Sequence, residues 1–170
     1  TSYAAVGDVT YGETSLQSVA LAATADLIAS LVSELPVEVY RSGRRVSGST
    51  PSNLDDPGAD GRGREDWLYR LMSSWLLRGN AYGTALEINT RTGTPTAFDL
   101  LHPDDVRPVN TPGSGGVDWY VKGKKLDGAM LADFEHWRVN PSPGRVLGSS
   151  PVERHAHTIG VSLSSTQFGR

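Results

Sequence analysis

Between Leu16 and Leu35 the apolar residues recur every three or four positions. Leu16, Val19, Ala23, Leu27 and Leu31 form a row, and Ala20, Ile28, Val32 and Leu35 widen it. That period predicts an amphipathic helix over about 15–34. Thr14 and Gln17 stand three apart at its start, the spacing of a capping box. Pro36 ends it, because proline lacks the N–H of the next turn and pushes Leu35 out of the α region. The polar face is thin and rich in Ala and Ser, so a neighbouring element can approach closely. A helix of this kind must bury a stripe against other layers, and the rest of the chain offers mostly short strands.

Val37–Arg41 alternates at period two, and Ser42-Gly43 is a tight turn into Arg44-Arg45-Val46-Ser47. Residues 48–65 carry Pro51, Pro57, Gly58, Gly61 and Gly63 among Ser, Asn and Asp, and read as a mobile loop. A second helix starts near Glu65 or Asp66, with acids at its positive end. Its buried stripe is Trp67, Leu68, Leu71, Met72, Trp75 and Leu76, and Gly79 closes it. Tyr82–Asn89 and Ala97–Leu101 read as a hairpin around Thr90-Arg91-Thr92-Gly93. Short strands follow at Val106–Val109, Val117–Lys122 and Phe134–Val139. In the last, Phe134, His136 and Arg138 lie opposite Glu135, Trp137 and Val139. Ser150 (N-cap), Pro151 (first turn) and Glu153 open a final helix with a stripe at Val152, Ala156, Ile159, Leu163 and Phe168. The fold class is α+β: three main helices packed on short, mostly antiparallel strands.

The chain has 170 residues, within the roughly 100–200 of one domain. It begins at Thr1, not Met, and stops at Arg170 inside a helical pattern, which reads as a fragment of something longer. Lys plus Arg is 16 and Asp plus Glu is 19, a net charge of 16 − 19 = −3. That argues against a free-standing duplex-DNA binder, which carries a basic excess. There is no cysteine, so disulfides, thiolate metal sites and a cysteine nucleophile are excluded. No apolar run approaches the roughly 20 residues that span a bilayer, and no secretory signal peptide is visible.

The candidate chemical motifs fail on spacing. His155 and His157 are two apart, so on a helix they point about 200° from each other and cannot share an ion. Asp55, Asp56 and Asp60-Gly61 suggest a calcium loop, but counting from Asp56 the third position is Gly58 and the twelfth Trp67, where an acid is needed. No nucleophile elbow, phosphate loop or dinucleotide fingerprint is present, and no cofactor is implied. Arg41, Arg44 and Arg45 make a basic hairpin, either an exposed turn or a phosphate or subunit contact. A small hydrolase or transferase with a site near His136 and the Asp104-Asp105 turn, and a monomeric protein-binding module, are the rival readings.

Four blocks in order carry a resemblance: 25–31 followed by 35–40; Gly79-Asn80-Ala81-Tyr82-Gly83 after an amphipathic helix; Leu100-Leu101-His102-Pro103-Asp104-Asp105-Val106; and His136–Val139, a Gly144 turn, then Gly148-Ser149-Ser150-Pro151-Val152. Together, from about Val19 to Gly169, they resemble portal proteins of long-tailed bacteriophages and prophages. The resemblance implies a structural subunit without enzymatic activity, in a dodecameric ring at one capsid vertex. Terminase pumps double-stranded DNA through such a channel without sequence-specific binding, and the ring seats the head–tail connector and meets capsid proteins. It implies a place in the virion, and in the bacterial host cytoplasm during assembly. Stem, clip and channel-lining parts lie beyond this sequence, so the chain resembles the N-terminal wing, a single domain over 1–170. The motif positions, in a structural sense, are Pro36, Gly79, Asn80, Tyr82, Gly148, Ser150 and Pro151. A ring closes by head-to-tail contacts between two different patches. The basic hairpin Arg41, Arg44, Arg45 and the acidic loop Asp55, Asp56, Asp60 are the expected pair. The family's Pro-Asn turn before the second helix is replaced here by Ser52-Asn53-Leu54-Asp55-Asp56-Pro57-Gly58.

Overall fold

A computed structural model describes residues 19–46, 52–111 and 116–155. Its elements, in order, are α1 (Val19–Ser33), β1 (Tyr40–Arg41), β2 (Arg44–Arg45), α2 (Ser52–Asp55), α3 (Gly63–Arg78), β3 (Asn80–Ile88) and β4 (Pro95–Leu101). A 3₁₀ turn (Pro103–Asp105), β5 (Val106–Asn110), β6 (Val117–Val121), β7 (Lys124–Lys125), α4 (Gly128–Ala132), β8 (Phe134–Arg138) and α5 (Pro151–Arg154) follow. All strand pairs are antiparallel: β1 with β2, β4-β3-β8 in one sheet and β5-β6-β7 in another. The fold is α+β, as the periodicities predict.

The first helix forms where the apolar period places it, but the buried face differs from the row that predicts the helix. Ala29 is 0% exposed and Ser33 5%, whereas Leu27 is 59%, Leu31 58% and Leu35 58% exposed. α1 packs on α3 through its small residues, with Ala22 and Ala25 along the same seam. Small side chains allow the two helix axes to come close, so the seam uses Ala and Ser while the larger residues face away. The Tyr69 hydroxyl reaches across the seam to the Asp26 carboxylate, which raises the tyrosine's pKa.

α3 lies on the β4-β3-β8 sheet and is fixed by its indoles. Trp67 Nε1 donates to the Phe98 carbonyl at 3.0 Å and Trp75 Nε1 to the Trp137 carbonyl at 3.0 Å. Burial of an indole is favourable when its N–H finds an acceptor, as both do here. On the opposite sheet face Tyr82, Phe134 and His136 stack, and Trp119 of β6 packs against all three. That aromatic cluster joins the two three-stranded sheets. Burial raises the pKa of Tyr82.

Three sequence expectations are corrected. The stretch 48–65 is not all loop: Ser52–Asp55 is a helical turn, and α3 already begins at Gly63. The Pro57 carbonyl accepts from Phe98 N at 2.8 Å, tying this stretch to β4. The strand Val37–Arg41 is reduced to Tyr40–Arg41. Two short elements, α4 and the 3₁₀ turn, carry too little period to be read from sequence. The final helix is described from Pro151 to Arg154. Its predicted stripe at Ala156, Ile159, Leu163 and Phe168, with His157 and the capping pair Thr14 and Gln17, lies outside the described residues.

Candidate functional site

Five of the seven motif positions meet in one place, where α3 ends, β3 begins and the 140–150 segment returns. Gly79 has φ +72° and its N–H bonds the Trp75 carbonyl, closing α3 in the left-handed conformation. Glycine is required there twice over. A Cβ on Gly79 would stand 2.5 Å from Ser150 N and 2.7 Å from Ser149 C. A Cβ on Gly148 would overlap the carbonyl oxygens of Gly79 and Val139. Two stretches of backbone therefore touch directly, with Val139 N donating to Gly79 O at 3.0 Å and Ser149 N to Val139 O at 3.1 Å.

Asn80 is the polar centre of this junction and is buried. Its Oδ1 accepts from Gly148 N at 2.7 Å, and its Nδ2 donates to the carbonyls of Arg78 at 2.8 Å and Gly148 at 3.2 Å. Those partners fix the orientation of the amide, since a backbone N–H must face an oxygen. The 2.9 Å contact between Asn80 Oδ1 and His136 Nε2 is then a bond donated by His136, so the proton sits on Nε2. Burial, with the Arg138 guanidinium nearby, lowers the His136 pKa to about 4. The imidazole is neutral at pH 7, held between the Tyr82 ring at 4.8 Å and Trp119 at 4.9 Å.

The junction passes its order to α5. Ser150 is an N-cap whose Oγ accepts from Glu153 N at 2.9 Å, with Pro151 in the first turn. Asn140 Nδ2 donates to Ser149 O at 3.0 Å, and Glu153 pairs with Arg145 at 2.9 Å. α5 thus starts in a direction set by backbone contact with the end of α3, with Val152 buried.

Sequence reading finds these glycines and the cap but not the role of Asn80 as a four-bond clasp. It also leaves out Gly83, where a Cβ would stand 2.6 Å from the Trp137 ring. Nor does it find the Arg78 fork, which binds Asp104 through Nε at 2.7 Å and Nη2 at 2.8 Å. That fork lowers the Asp104 pKa. Pro36 and Tyr82 sit elsewhere: Pro36 just beyond α1, Tyr82 in the aromatic cluster.

Among the described residues His136 and the Asp104-Asp105 turn do not meet. His136 Nε2 is engaged by Asn80 and Asp104 by Arg78. The cavity of about 430 Å³ between α3 and β4 is lined by His102, Arg78 and Leu101 among others, not by His136. In the acidic loop, Asp56 Oδ2 accepts from Gly61 N at 2.8 Å. The Arg62 N–H and the Arg70 guanidinium hold the Asp60 carboxyl below its usual range. Arg45 pairs with Glu38 at 3.0 Å. Arg41 and Arg44 make no ion pair among the described residues.

A sequence model of the family described as phage portal protein matches residues 20–170. A "Probable portal protein" of Streptomyces phage phiC31 is 30% identical over 179 residues, covering 98% of this chain and 38% of that protein. A 110-residue stretch, 65% of this chain, is also 30% identical to a leucine–tRNA ligase of Clavibacter michiganensis, where it amounts to 12% of the enzyme. Among solved structures, a chain in the neck of an empty gene transfer agent particle computed with C6 symmetry aligns with TM-score 0.71 at 22% identity. It is covered to 46%, and this chain to 99%. An HK97 family phage portal protein from Corynebacterium diphtheriae aligns with TM-score 0.55 at 15% identity, over 85% of this chain and 43% of that one. The chain spans less than half the length of these portal and neck relatives.

Proposed function

This chain belongs to the phage portal protein family, and on that premise we propose that it is the wing-like N-terminal part of a portal subunit. The subunit forms a homo-oligomeric ring, twelvefold by the family resemblance, at one vertex of a capsid. Double-stranded DNA enters and leaves through the ring without sequence-specific binding. Terminase, capsid and head–tail connector proteins are its partners. Its place is the virion, and the host cytoplasm during assembly. The observation that carries the reading is the family match across 20–170 on a fold shared with a particle neck.

The physical chemistry agrees. A net charge of −3 suits a wall past which DNA slides, because a basic groove would grip phosphates through counterion release. The clasp around Asn80 suits a load-bearing joint: it ties the start of α5 to the end of α3 through backbone contact and the fully engaged Asn80 amide. Pro36, Gly79, Asn80, Tyr82, Gly148, Ser150 and Pro151 act structurally in this reading and none binds a ligand. The hairpin of Arg41 and Arg44 is one half of a subunit contact. The acidic loop, expected as its other half, engages Asp56 and Asp60 within its own chain, which leaves Asp55 as its outward charge.

Light scattering and negative-stain microscopy on the complete protein that carries this sequence test the reading. Rings with a central hole are the expected result. A clean monomer at high concentration overturns it.

A further inference from the structure

The chain contains two Asp-Gly bonds, Asp60-Gly61 and Asp127-Gly128. Such a bond is open to one spontaneous reaction. The glycine nitrogen attacks the side-chain carboxyl carbon of the aspartic acid before it. A C–N bond forms, the nitrogen gives up its proton, a C–O bond breaks and one water leaves, which closes a five-membered succinimide. Water then opens the ring at either carbonyl. Opening at the backbone carbonyl leaves isoaspartate, in which the main chain runs through the former side-chain carboxyl. No oxidant, reductant or cofactor is needed. Glycine is the favoured attacker because no Cβ crowds its nitrogen or limits its backbone. The fold must leave the nitrogen free, the carboxyl free to take up a proton, and the backbone free to turn.

Asp60-Gly61 fails on these counts. Gly61 N donates to Asp56 Oδ2 at 2.8 Å, so the nucleophile is engaged. Asp60 Oδ1 accepts from Arg62 N at 3.1 Å, and Oδ2 pairs with the Arg70 guanidinium at 3.1 Å. Bonds to the charged form keep this carboxyl ionised, and an ionised carboxylate resists attack by nitrogen.

Asp127-Gly128 meets them. The Asp127 carboxyl makes no capping bond, and among the described residues it forms no ion pair, since the neighbouring Lys125 is taken by Asp118 at 2.8 Å. The Gly128 N–H has no acceptor among the described residues. Gly128 has φ +47° and nothing within 4 Å of the place a Cβ would take, which leaves room for the ring. Closure must turn the Asp127 backbone from its ψ of 166°. What has to follow is α4, five residues long and exposed at every one. The chain before it is anchored, because Leu126 is buried and its N–H bonds the Trp119 carbonyl at 2.8 Å.

We propose that Asp127-Gly128 is a modification site, converting through a succinimide to isoaspartate in the folded protein while Asp60-Gly61 is protected. The product adds one methylene to the main chain and frees an α-carboxylate, the group that a protein isoaspartyl methyltransferase esterifies with S-adenosylmethionine.

Incubation of the complete protein at neutral pH over weeks tests this. Labelled S-adenosylmethionine with the methyltransferase counts isoaspartate, and peptide mapping places it and finds the succinimide as a species lighter by one water. The peptide holding Asp127 should gain isoaspartate several-fold faster than the peptide holding Asp60. In denaturant the two rates should converge, because the difference belongs to the fold. Asp127→Ser keeps a capping residue for α4 but removes the carbon that is attacked, and it should lose most of the label with circular dichroism unchanged. Equal rates in the folded protein, isoaspartate first at Asp60, or label undiminished in Asp127→Ser each overturn the assignment. So does an Asp127 peptide that reacts only in denaturant.

Discussion

The joint around Asn80 and the outer face of α1 are built on opposite rules. At the joint both ends of the Asn80 amide have partners inside the chain, and two backbones touch because Gly79 and Gly148 lack a Cβ. On α1, three leucines stand about 58–59% exposed while Ala29 and Ser33 of the same helix are buried. A folded chain does not gain from exposing Leu in a row. The joint therefore belongs to the stability of the subunit, whereas the row adds little to it. Substitutions separate the two: those at the joint act on unfolding, those on the row leave it almost unchanged.

The largest effects fall at the glycines. Gly79→Ala forces a Cβ into the Ser149–Ser150 backbone at a positive φ, and Gly148→Ala into two carbonyls. With nothing flexible to move, each costs about 3 kcal/mol or more. For a chain of this size that lowers Tm by roughly 6–12 °C. Calorimetry checks it, and a variant within 2 °C of the parent, an allowance of roughly 0.5–1 kcal/mol, refutes direct backbone contact. Asn80→Ala comes next. It leaves the Gly148 peptide and the His136 N–H without partners in a buried place, a loss of about 2–3 kcal/mol by denaturant titration.

The joint also shows how far the sequence is legible. Gly79, Ser150 and Pro151 can be read because caps are local: their partners lie within four residues. Asn80 cannot, because its partner Gly148 is 68 residues away, and a single Asn after a helix-ending Gly carries no mark of that. The α1 period correctly gives a helix but points to the wrong face. Periodicity reports where apolar residues are, and it counts Leu above Ala. The seam chose small residues for closeness, so the stripe that defines the helix is not the stripe that packs. The strands at Val117 and Phe134 are legible from alternation, whereas α4, five residues long, has no period to show.

Ala29→Leu sharpens the contrast within one helix. Ala29 is fully buried against α3, and a larger side chain there must push the helices apart, at about 1–3 kcal/mol. Thermal unfolding of the isolated subunit reads it. Acid also acts on the joint, and more weakly. The folded chain holds His136 near pKa 4 because burial disfavours its charge, against 6.5 when unfolded. Above pH 6.5 both states are neutral. Between 6.5 and 4 the unfolded chain takes up a proton that the folded chain does not, so stability falls as pH drops through this window. Allowing for partial exposure, the loss is on the order of 1–2 kcal/mol. The difference between the parent and His136→Gln isolates it from the carboxylates, and parallel pH profiles for the two would remove His136 from the account.

The smallest effect on folding is expected where the apolar surface is largest. Leu27→Ser and Leu31→Ser replace side chains that already meet water, so subunit stability should shift by no more than about 0.5 kcal/mol. Serine is a slightly poorer helix former than leucine, which accounts for what little is lost. Sedimentation of the complete protein at several concentrations gives a second readout, because Leu in a contact between copies is removed from water only on assembly. If unfolding and assembly weaken together, α1 is part of the subunit's own core. If assembly alone weakens, the row of leucines is there for a neighbour, and the exposure that looks like a defect in one chain is the means by which two chains meet.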